Sequence, residues 1–327
     1  MSARAASSAL LLAAFATITL GPASNPAGGA ACARAEAWSL MRGEYRSEVQ
    51  VAQYSTLSAY DAGGNRVEFR PPGYKLEQMA FSWRNQFGWR KRLSLQFGVT
   101  GLMVSGFDGP PLAVPTKTGL SQIDLGLHYN IMNGNRAMAF EALLHAPAGY
   151  DRTLSPALGD GRQELSGRLN LGSTLGKRGF LELLGGASYR FHKLGSSSAK
   201  ANLDPVLTTN VYYDFGADMG FWFGRSLMLG GRYQGRMLGT TTGQGGPGNV
   251  HTVGPLTLRF KEQLDESAHA AGPFILVRID DRLDVIAGNY STPVGRNALH
   301  FDQYYVSLAF KQSKLKRNQG FMGGSTP

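Results

Sequence analysis

The chain has 327 residues, a formal net charge of +10, 17% charged residues and 43 glycines. Its length fits one large β domain or two ordinary domains, and outside the N-terminus no run of about 18 apolar residues predicts a membrane-spanning helix. The basic residues are scattered or grouped at turns and in the C-terminal tail, without a DNA- or RNA-binding motif. This distribution disfavours nucleic acid as a partner and favours a surface that meets acidic lipid headgroups or lipopolysaccharide.

The first segment of the chain has the features of a cleaved export signal. A basic start is followed by an apolar core at residues 9–20 (ALLLAAFATITL), too short for a membrane anchor. Small residues then offer cleavage sites at Ala33-Arg34-Ala35 or Ala35-Glu36-Ala37. We expect residues 1–35 to be removed, together with Cys32, the only cysteine. A lipoprotein anchor is disfavoured because Gly29 stands where such signals carry leucine or a similar residue. A mature chain without cysteine has no disulfide, reactive thiol or zinc–thiolate site.

From residue 43 onward, the hydrophobic pattern predicts twelve amphipathic β-strands. Apolar and polar residues alternate, as in residues 122–131 (QIDLGLHYNI), and successive side chains of a strand point to opposite faces. The predicted strands are 43–55, 74–86, 92–105, 119–132, 136–146, 162–174, 179–193, 206–222, 226–238, 256–279, 283–291 and 300–311.

The predicted connections alternate in length. Those after even-numbered strands are short, at residues 88–90, 133–135, 176–177, 223–225 and 280–282, and those after odd-numbered strands are long, as at residues 57–73, 106–118, 147–161 and 239–255. Bacterial outer-membrane barrels place short turns in the periplasm and long loops outside, so an even strand number puts both termini in the periplasm. The prediction is therefore an all-β fold, a transmembrane antiparallel β-barrel over residues 36–311 in the outer membrane of a Gram-negative bacterium. The basic residues 312–327 are predicted to form a disordered periplasmic tail.

A soluble β-sandwich is the alternative fold, since its strands also alternate. Sandwich strands usually have about 5–6 residues, whereas the predicted strands are near or above the roughly 9–11 residues of a tilted transmembrane strand. The polar face is also rich in glycine as well as charge, which favours the barrel. The longest segment, 256–279, contains Pro273, which predicts a bulge or a strand that extends beyond the membrane.

Five segments carry a resemblance to a known family: residues 38–44 (WSLMRGE), 61–67 (DAGGNRV), 119–126 (GLSQIDLG), 146–151 (APAGYD) and 159–161 (GDG). In order and spacing they resemble motifs of the outer-membrane transporter family named after the meta-pathway of phenol degradation. Gln122 stands where the family usually has an acidic residue, and Ala148 where it usually has threonine. The resemblance covers nearly all of the mature chain. It implies an outer-membrane barrel that takes up small compounds, aromatic or hydrophobic ones among them.

The polar face of the predicted strands carries charges of both signs. They cannot face lipid, because an Arg or Lys at the bilayer midplane costs about 2–4 kcal/mol. The candidates for the lumen and the solute path are Asp124, His128, Glu141, Arg168, Arg190, Asp214, Asp218, Arg232, Arg236 and Arg278. The same face also carries Arg46, Glu48, Arg84, Glu164, Glu182, His192 and Asp284.

Two interpretations of these charges stay open. They form a network of ion pairs that holds the barrel in shape, or a subset lines a path that selects solutes by charge and size. If the arginines of different strands align at one height, they would attract carboxylate or phenolate solutes. Inward glycines predict some free volume in the lumen: Gly98, Gly126, Gly172, Gly186, Gly216 and Gly230.

The pattern favours a channel over an enzyme or a binding protein. None of the six histidines is followed two places later by serine, as in outer-membrane phospholipases, and no cluster of metal ligands is visible. Twelve strands lie between the eight that side chains fill and the roughly 16–18 that enclose an aqueous channel. A barrel without an open pore, with a structural role or with loop 239–255 binding a surface partner, is therefore the alternative. No cofactor is predicted, and the expected partners are outer-membrane lipid, lipopolysaccharide, the barrel assembly machinery and a small-molecule solute.

Overall fold

The computed structural model describes residues 40, 42–61, 63–68, 76–105, 117–148, 163–176, 178–191, 209–242, 250–253, 256–259, 267–296 and 298–312. The strands are β1 (Tyr45–Tyr60), β2 (Arg66–Glu68), β3 (Leu76–Arg90), β4 (Leu93–Ser105), β5 (Lys117–Met132), β6 (Arg136–Pro147), β7 (Gln163–Leu175), β8 (Gly179–Phe191), β9 (Thr209–Phe223), β10 (Leu227–Thr242), β11 (Val250–Val253), β12 (Leu256–Arg259), β13 (Ser267–Arg278), β14 (Leu283–Arg296) and β15 (Leu299–Gln312). Within these ranges, no helix is long and apolar enough to cross a membrane. The predicted export signal, and all of the predicted tail except Gln312, lie outside the described residues.

Twelve long strands form one closed antiparallel sheet. From β3 to β10 each strand pairs with the next, β10 pairs with β13, and β13, β14 and β15 follow. The sheet closes because β15 pairs along β1 from Tyr45↔Gln312 to Ala59↔Leu299, and β1 pairs with β3 on its other side. The predicted twelve-stranded antiparallel barrel is confirmed.

The two faces of the barrel wall have the reverse polarity of a soluble protein. On β5, Asp124 and His128 are 7% and 1% exposed, whereas the neighbouring Leu125 and Leu127 are 49% and 50% exposed. The apolar side chains thus point outward and the polar ones point into the barrel. This arrangement suits a wall with lipid outside and a polar lumen inside, and it excludes the sandwich, whose apolar face is the core.

Several predicted connections are misplaced. β1 runs on to Tyr60, and β2 lies inside the predicted loop 57–73. β3 continues through the predicted turn at 88–90, because a register shift between Gly88 and Arg90 lets it keep pairing with β4. The turn follows at residues 91–92. β14 also runs past its predicted end to Arg296, so residues 297–298 connect it to β15 instead of the predicted 292–299.

The predicted single strand 256–279 is wrong. Its first part, β12, pairs with β11 in a separate two-stranded sheet, and β13 begins only at Ser267. The sequence Gly254-Pro255 between β11 and β12 is a turn signal, and it lies inside the segment predicted as the long loop 239–255. Within β13, pairing with β10 runs unbroken through Pro273, and the register shift on the side of β14 lies earlier, between His269 and Ala271.

Residues 61 and 63–65 lie in the turn between β1 and β2, and residues 66–67 of the motif begin β2. One carboxylate oxygen of Asp61 accepts hydrogen bonds from the backbone amides of Asn65 (2.8 Å) and Gly63 (2.9 Å), and the other accepts one from the Asn65 side chain. These bonds, first of all the one from the Asn65 amide, hold the pKa of Asp61 below its usual value. Gly64 has a φ of 81°, which favours glycine. The motif therefore has a local structural role.

Candidate functional site

All ten residues predicted to line the lumen lie on the inner face of the barrel. Seven are almost fully buried: Asp124, His128, Glu141, Arg190, Asp214, Arg232 and Arg236. The other three side chains are more open, with 13%, 14% and 28% of their surface exposed: Arg168, Asp218 and Arg278. His192, the remaining histidine of the predicted polar face, lies outside the described residues.

The backbone register places arginines directly opposite carboxylates on neighbouring strands. Side chains in such positions have Cβ atoms about 4.5–5.5 Å apart, so they interact. The register pairs are Glu48↔Arg84, Glu141↔Arg168, Glu164↔Arg190, Asp214↔Arg236, Asp218↔Arg232 and Arg278↔Asp284. Strand alignment therefore organises the inner charges into pairs of opposite sign.

The most extensive ion-pair cluster is centred on Arg236 of β10. Its Nε donates to Asp214 Oδ1 at 2.6 Å, and its Nη2 donates to Glu164 Oε1 at 2.7 Å. Glu164 also binds Arg190 at 2.9 Å, whereas Asp214 has Arg168 at the longer distance of 3.9 Å. Both carboxylates are thus held mainly by guanidinium groups.

Tyr212 packs against the two buried arginines of this cluster. The Cζ atoms of Arg190 and Arg236 lie 4.7 and 5.3 Å from the centre of its ring, close enough for cation–π attraction. Tyr212 is 1% exposed and was not predicted as a lumen residue. The inward position of Tyr212 could have been predicted, because on β9 it lies two residues from Asp214 and therefore on the same face of the strand.

A second ion pair lies where the ionic part of the wall meets aromatic side chains. Arg232 Nε donates to both oxygens of Asp218, at 2.8 and 2.7 Å. The Arg232 guanidinium carbon is also 6.0 Å from the ring centre of Phe274 and 5.9 Å from that of Tyr290. Arg232 thus contacts both a carboxylate and the aromatic side chains of the lumen.

His145 joins the ionic network on the other side of Glu164. Its Nδ1 is 2.7 Å from Asp124 Oδ1, and the Gln122 side chain lies within hydrogen-bonding distance of both groups. The register also puts His145 opposite Glu164. His145 was not predicted to lie in the lumen, although its spacing of four from Glu141 puts both on one face of a strand.

Aromatic and aliphatic side chains line the opposite part of the inner wall. They come mainly from β13, β14, β15 and β1, and include Phe274, Tyr290, Phe301, Tyr305 and Tyr54. The rings of Tyr290 and Tyr305 stack with centres 5.6 Å apart, and those of Tyr54 and Phe301 are 5.9 Å apart. This aromatic lining was not predicted from the sequence, since residues 274–277 (FILV) are apolar on both faces and give no alternation.

The predicted free volume is not found at the inward glycines whose surroundings the structure describes. A Cβ atom on Gly230 would lie 2.2 Å from the Phe274 ring, and one on Gly186 would lie 2.9 Å from Arg168. At Gly126 it would lie 2.6 Å from Leu143. The missing side chains thus give room to neighbouring large side chains.

The inner wall carries little net charge. Among the described residues, its basic side chains are Arg46, Arg84, Arg168, Arg190, Arg232, Arg236, Arg278 and Lys311. Its acidic side chains are Glu48, Asp124, Glu141, Glu164, Glu182, Asp214, Asp218 and Asp284. The two sets are equal in size. In the part of the chain that the structure describes, no three His, Cys, Asp or Glu side chains are grouped so that they could hold a metal ion.

Comparison with known proteins relates this barrel to outer-membrane channels by structure alone. No protein-family model matches the sequence, and no curated protein does. The COG4313 outer membrane channel from Pseudomonas putida F1 has a similar structure, with a TM-score of 0.63 and 15% identity over 84% of this chain and 97% of that one.

More distant structures include the β domain of the Bordetella autotransporter BrkA, with a TM-score of 0.47 and 10% identity over 83% of this chain and 100% of that one. The CymD monoaromatic hydrocarbon channel has a TM-score of 0.40 and 8% identity over 90% of this chain and 97% of that one. The likeness to the Pseudomonas channel supports the fold, a β-barrel of the outer-membrane type.

Proposed function

We propose that this protein is an outer-membrane channel of a Gram-negative bacterium and that it passes small solutes, aromatic or hydrophobic compounds among them. The observation that carries the proposal is the lumen, in which the ion pairs of Arg232 and Arg236 lie beside the aromatic rings of β13, β14, β15 and β1. A planar aromatic solute with a polar group fits both surfaces. The sequence motifs of the phenol meta-pathway transporter family and the likeness to a known outer-membrane channel support the same conclusion. In this proposal the protein is not an enzyme.

The ten predicted lumen residues form one side of the proposed solute path. Arg168, Arg190, Arg232, Arg236 and Arg278 all contact carboxylates. Their charges are therefore largely compensated, and we expect weak ion selectivity in place of a strong preference for anions. Size and shape, set by the aromatic side, then decide which solutes pass.

Planar-bilayer conductance of the refolded mature protein tests the proposal. We expect a small steady current with a reversal potential near zero in a salt gradient. Arg232→Gln should shift the reversal potential toward cation selectivity, because Asp218, which lies opposite Glu182 on β8, loses the guanidinium that neutralises it. Arg136→Gln, at an exposed position beside a turn, is the matched control and should change nothing.

A barrel without an open pore is the second candidate. It is favoured by the close contacts over inward glycines, where Phe274 covers Gly230 and where Phe180 and Met228 cover Gly220. A folded protein that carries no current and does not admit aromatic solutes into liposomes would replace the channel proposal with this one.

A further inference from the structure

The outward apolar surface of the barrel is not equally tall on all strands. On β9 every outward side chain of residues 211–223 is apolar. With a rise of about 3.4 Å per residue and a strand tilt of roughly 40°, this apolar stretch is about 30 Å tall along the membrane normal. On β14 only Leu283, Val285 and Ala287 precede the polar Asn289 and Ser291, and this apolar stretch spans about 10 Å. An outer-membrane barrel needs an apolar band about 25 Å tall. The wall around β14 is therefore too polar to face lipid over that height.

Neighbouring strands extend this polar area, which we call the β14 patch: His269, Asn289, Ser291, Asp302 and Gln53, all on the outer face. The register places Ser291 between Ala271 and Asp302, and Asn289 beside Tyr304. Within the described ranges, the Asp302 side chain forms no hydrogen bond or ion pair, although its charge interacts at longer range with His300 and Tyr60. Asn289 and Ser291 lie six and eight residues from the start of β14, at heights of about 16 and 21 Å within the apolar band. Lipid chains offer them no partner there, and polar side chains in hydrocarbon are costly unless they are paired.

We propose that the β14 patch binds a second copy of this chain and forms a two-fold symmetric dimer in the membrane. Charge complementarity selects this partner. His269 on β13 and Asp302 on β15 flank β14, and they lie nine and ten residues from the short-turn ends of their strands, at Arg278 and Gln312. They are therefore at nearly the same height in the wall.

A two-fold axis along the membrane normal at β14 exchanges the two flanks of the patch. It brings His269 of one copy opposite Asp302 of the partner subunit, twice in one interface, as a self-complementary contact requires. The Nδ1 atom of His269 is already bonded to the Tyr233 hydroxyl at 2.7 Å. Its Nε2 atom is thus left to bind the partner's carboxylate. Asn289 and Ser291 lie next to the axis, where each can hydrogen-bond to the other copy.

Disulfide formation near the axis tests the proposal directly. Ser291→Cys is made in a chain with Cys32→Ser, expressed in the outer membrane, checked for folding by heat-modifiable gel migration, and oxidised. We expect most of the protein to migrate as a covalent dimer. Ala187→Cys, outward and exposed on β8, is the matched control and should stay monomeric.

Exchanging His269 and Asp302 distinguishes a specific dimer interface from chance collisions between crowded barrels in the membrane. Asp302→His should lower the dimer fraction at least tenfold in native mass measurements in detergent, and the double variant His269→Asp with Asp302→His should restore it. Wild-type protein that is monomeric in detergent, together with a Ser291→Cys variant that a maleimide labels but oxidation does not cross-link in the membrane, would overturn the proposal. That result would mean that lipid headgroups or a thinned bilayer cover the patch. The outcome does not depend on whether the barrel conducts.

Discussion

Replacing Arg236 by glutamine tests whether the lumen is dry enough for its ion pairs to determine stability. The change removes two close ion pairs, to Glu164 and Asp214. Glu164 keeps Arg190 at 2.9 Å, but Asp214 keeps only Arg168 at 3.9 Å and the Ser188 hydroxyl. The main cost is therefore a buried carboxylate with a weakened partner.

The size of this cost follows from the burial of the groups. Breaking a buried ion pair by removing one partner costs about 3–5 kcal/mol. Because Asp214 retains a distant cation, we expect Arg236→Gln to lower the free energy of unfolding by about 3 kcal/mol. Adding Asp214→Asn removes the poorly paired charge, so the double variant should be less destabilised than the sum of the single variants by at least about 1 kcal/mol.

Urea unfolding in phospholipid vesicles, followed by heat-modifiable gel migration, measures these differences. Arg278→Gln is the matched control, since its partner Asp284 keeps Lys311 at 2.9 Å and the Arg278 side chain is 28% exposed. It should cost about 1 kcal/mol or less. Equal costs for Arg236→Gln and Arg278→Gln, with additive effects of the Arg236 and Asp214 changes, would refute the reasoning and indicate a lumen as screened as bulk water.

Two further predictions concern single positions. Gly230→Ala should destabilise the barrel by about 1–3 kcal/mol, because its Cβ would meet Phe274 and a backbone oxygen, whereas Gly185→Ala has open space around it and should be neutral in the same urea titration. Asp61→Ala should speed amide exchange at Asn65 and proteolysis of the first turn. Since the pKa of Asp61 is lowered in the fold, its contribution is present above about pH 4 and should be lost as the pH falls through that lowered pKa. Turn protection that is the same at neutral pH and after Asp61 has been protonated would contradict it.

The fold was predictable because most strands obey one simple rule. Over most of β5 and of β7–β10, apolar and polar residues alternate, so strand positions and the inward direction of Asp124, Arg168 and Arg232 follow from the period of two. The errors occur where a local feature breaks that rule. The bulge after Gly88 hides the continuation of β3, and the segment 256–279, predicted as one strand, hides the fact that β12 pairs with β11 in a small hairpin before β13 begins at Ser267.

The partners of the lumen residues were less predictable than their direction. Strand alternation places His145 and Glu141 on one face, but only the alignment of β5 with β6 shows that His145 meets Asp124. A shift by two residues would keep every inward residue inward and change every ion pair. The sequence alone therefore supports the lining of the lumen and leaves its pairing open.

The aromatic lining and the polar outer patch have a common origin. On β13–β15 and β1, the usual arrangement of this barrel is partly inverted: Phe274, Tyr290 and Tyr305 point inward, while Asn289 and Asp302 point outward. An isolated barrel gains nothing from polar groups against lipid, whereas a wall shared by two copies can pair them. In the two proposals, the aromatic inner surface of these strands contacts the solute, and their polar outer surface contacts the partner subunit. A dimer that forms through β14 would thus place the two aromatic half-lumens back to back, each open to its own solute path.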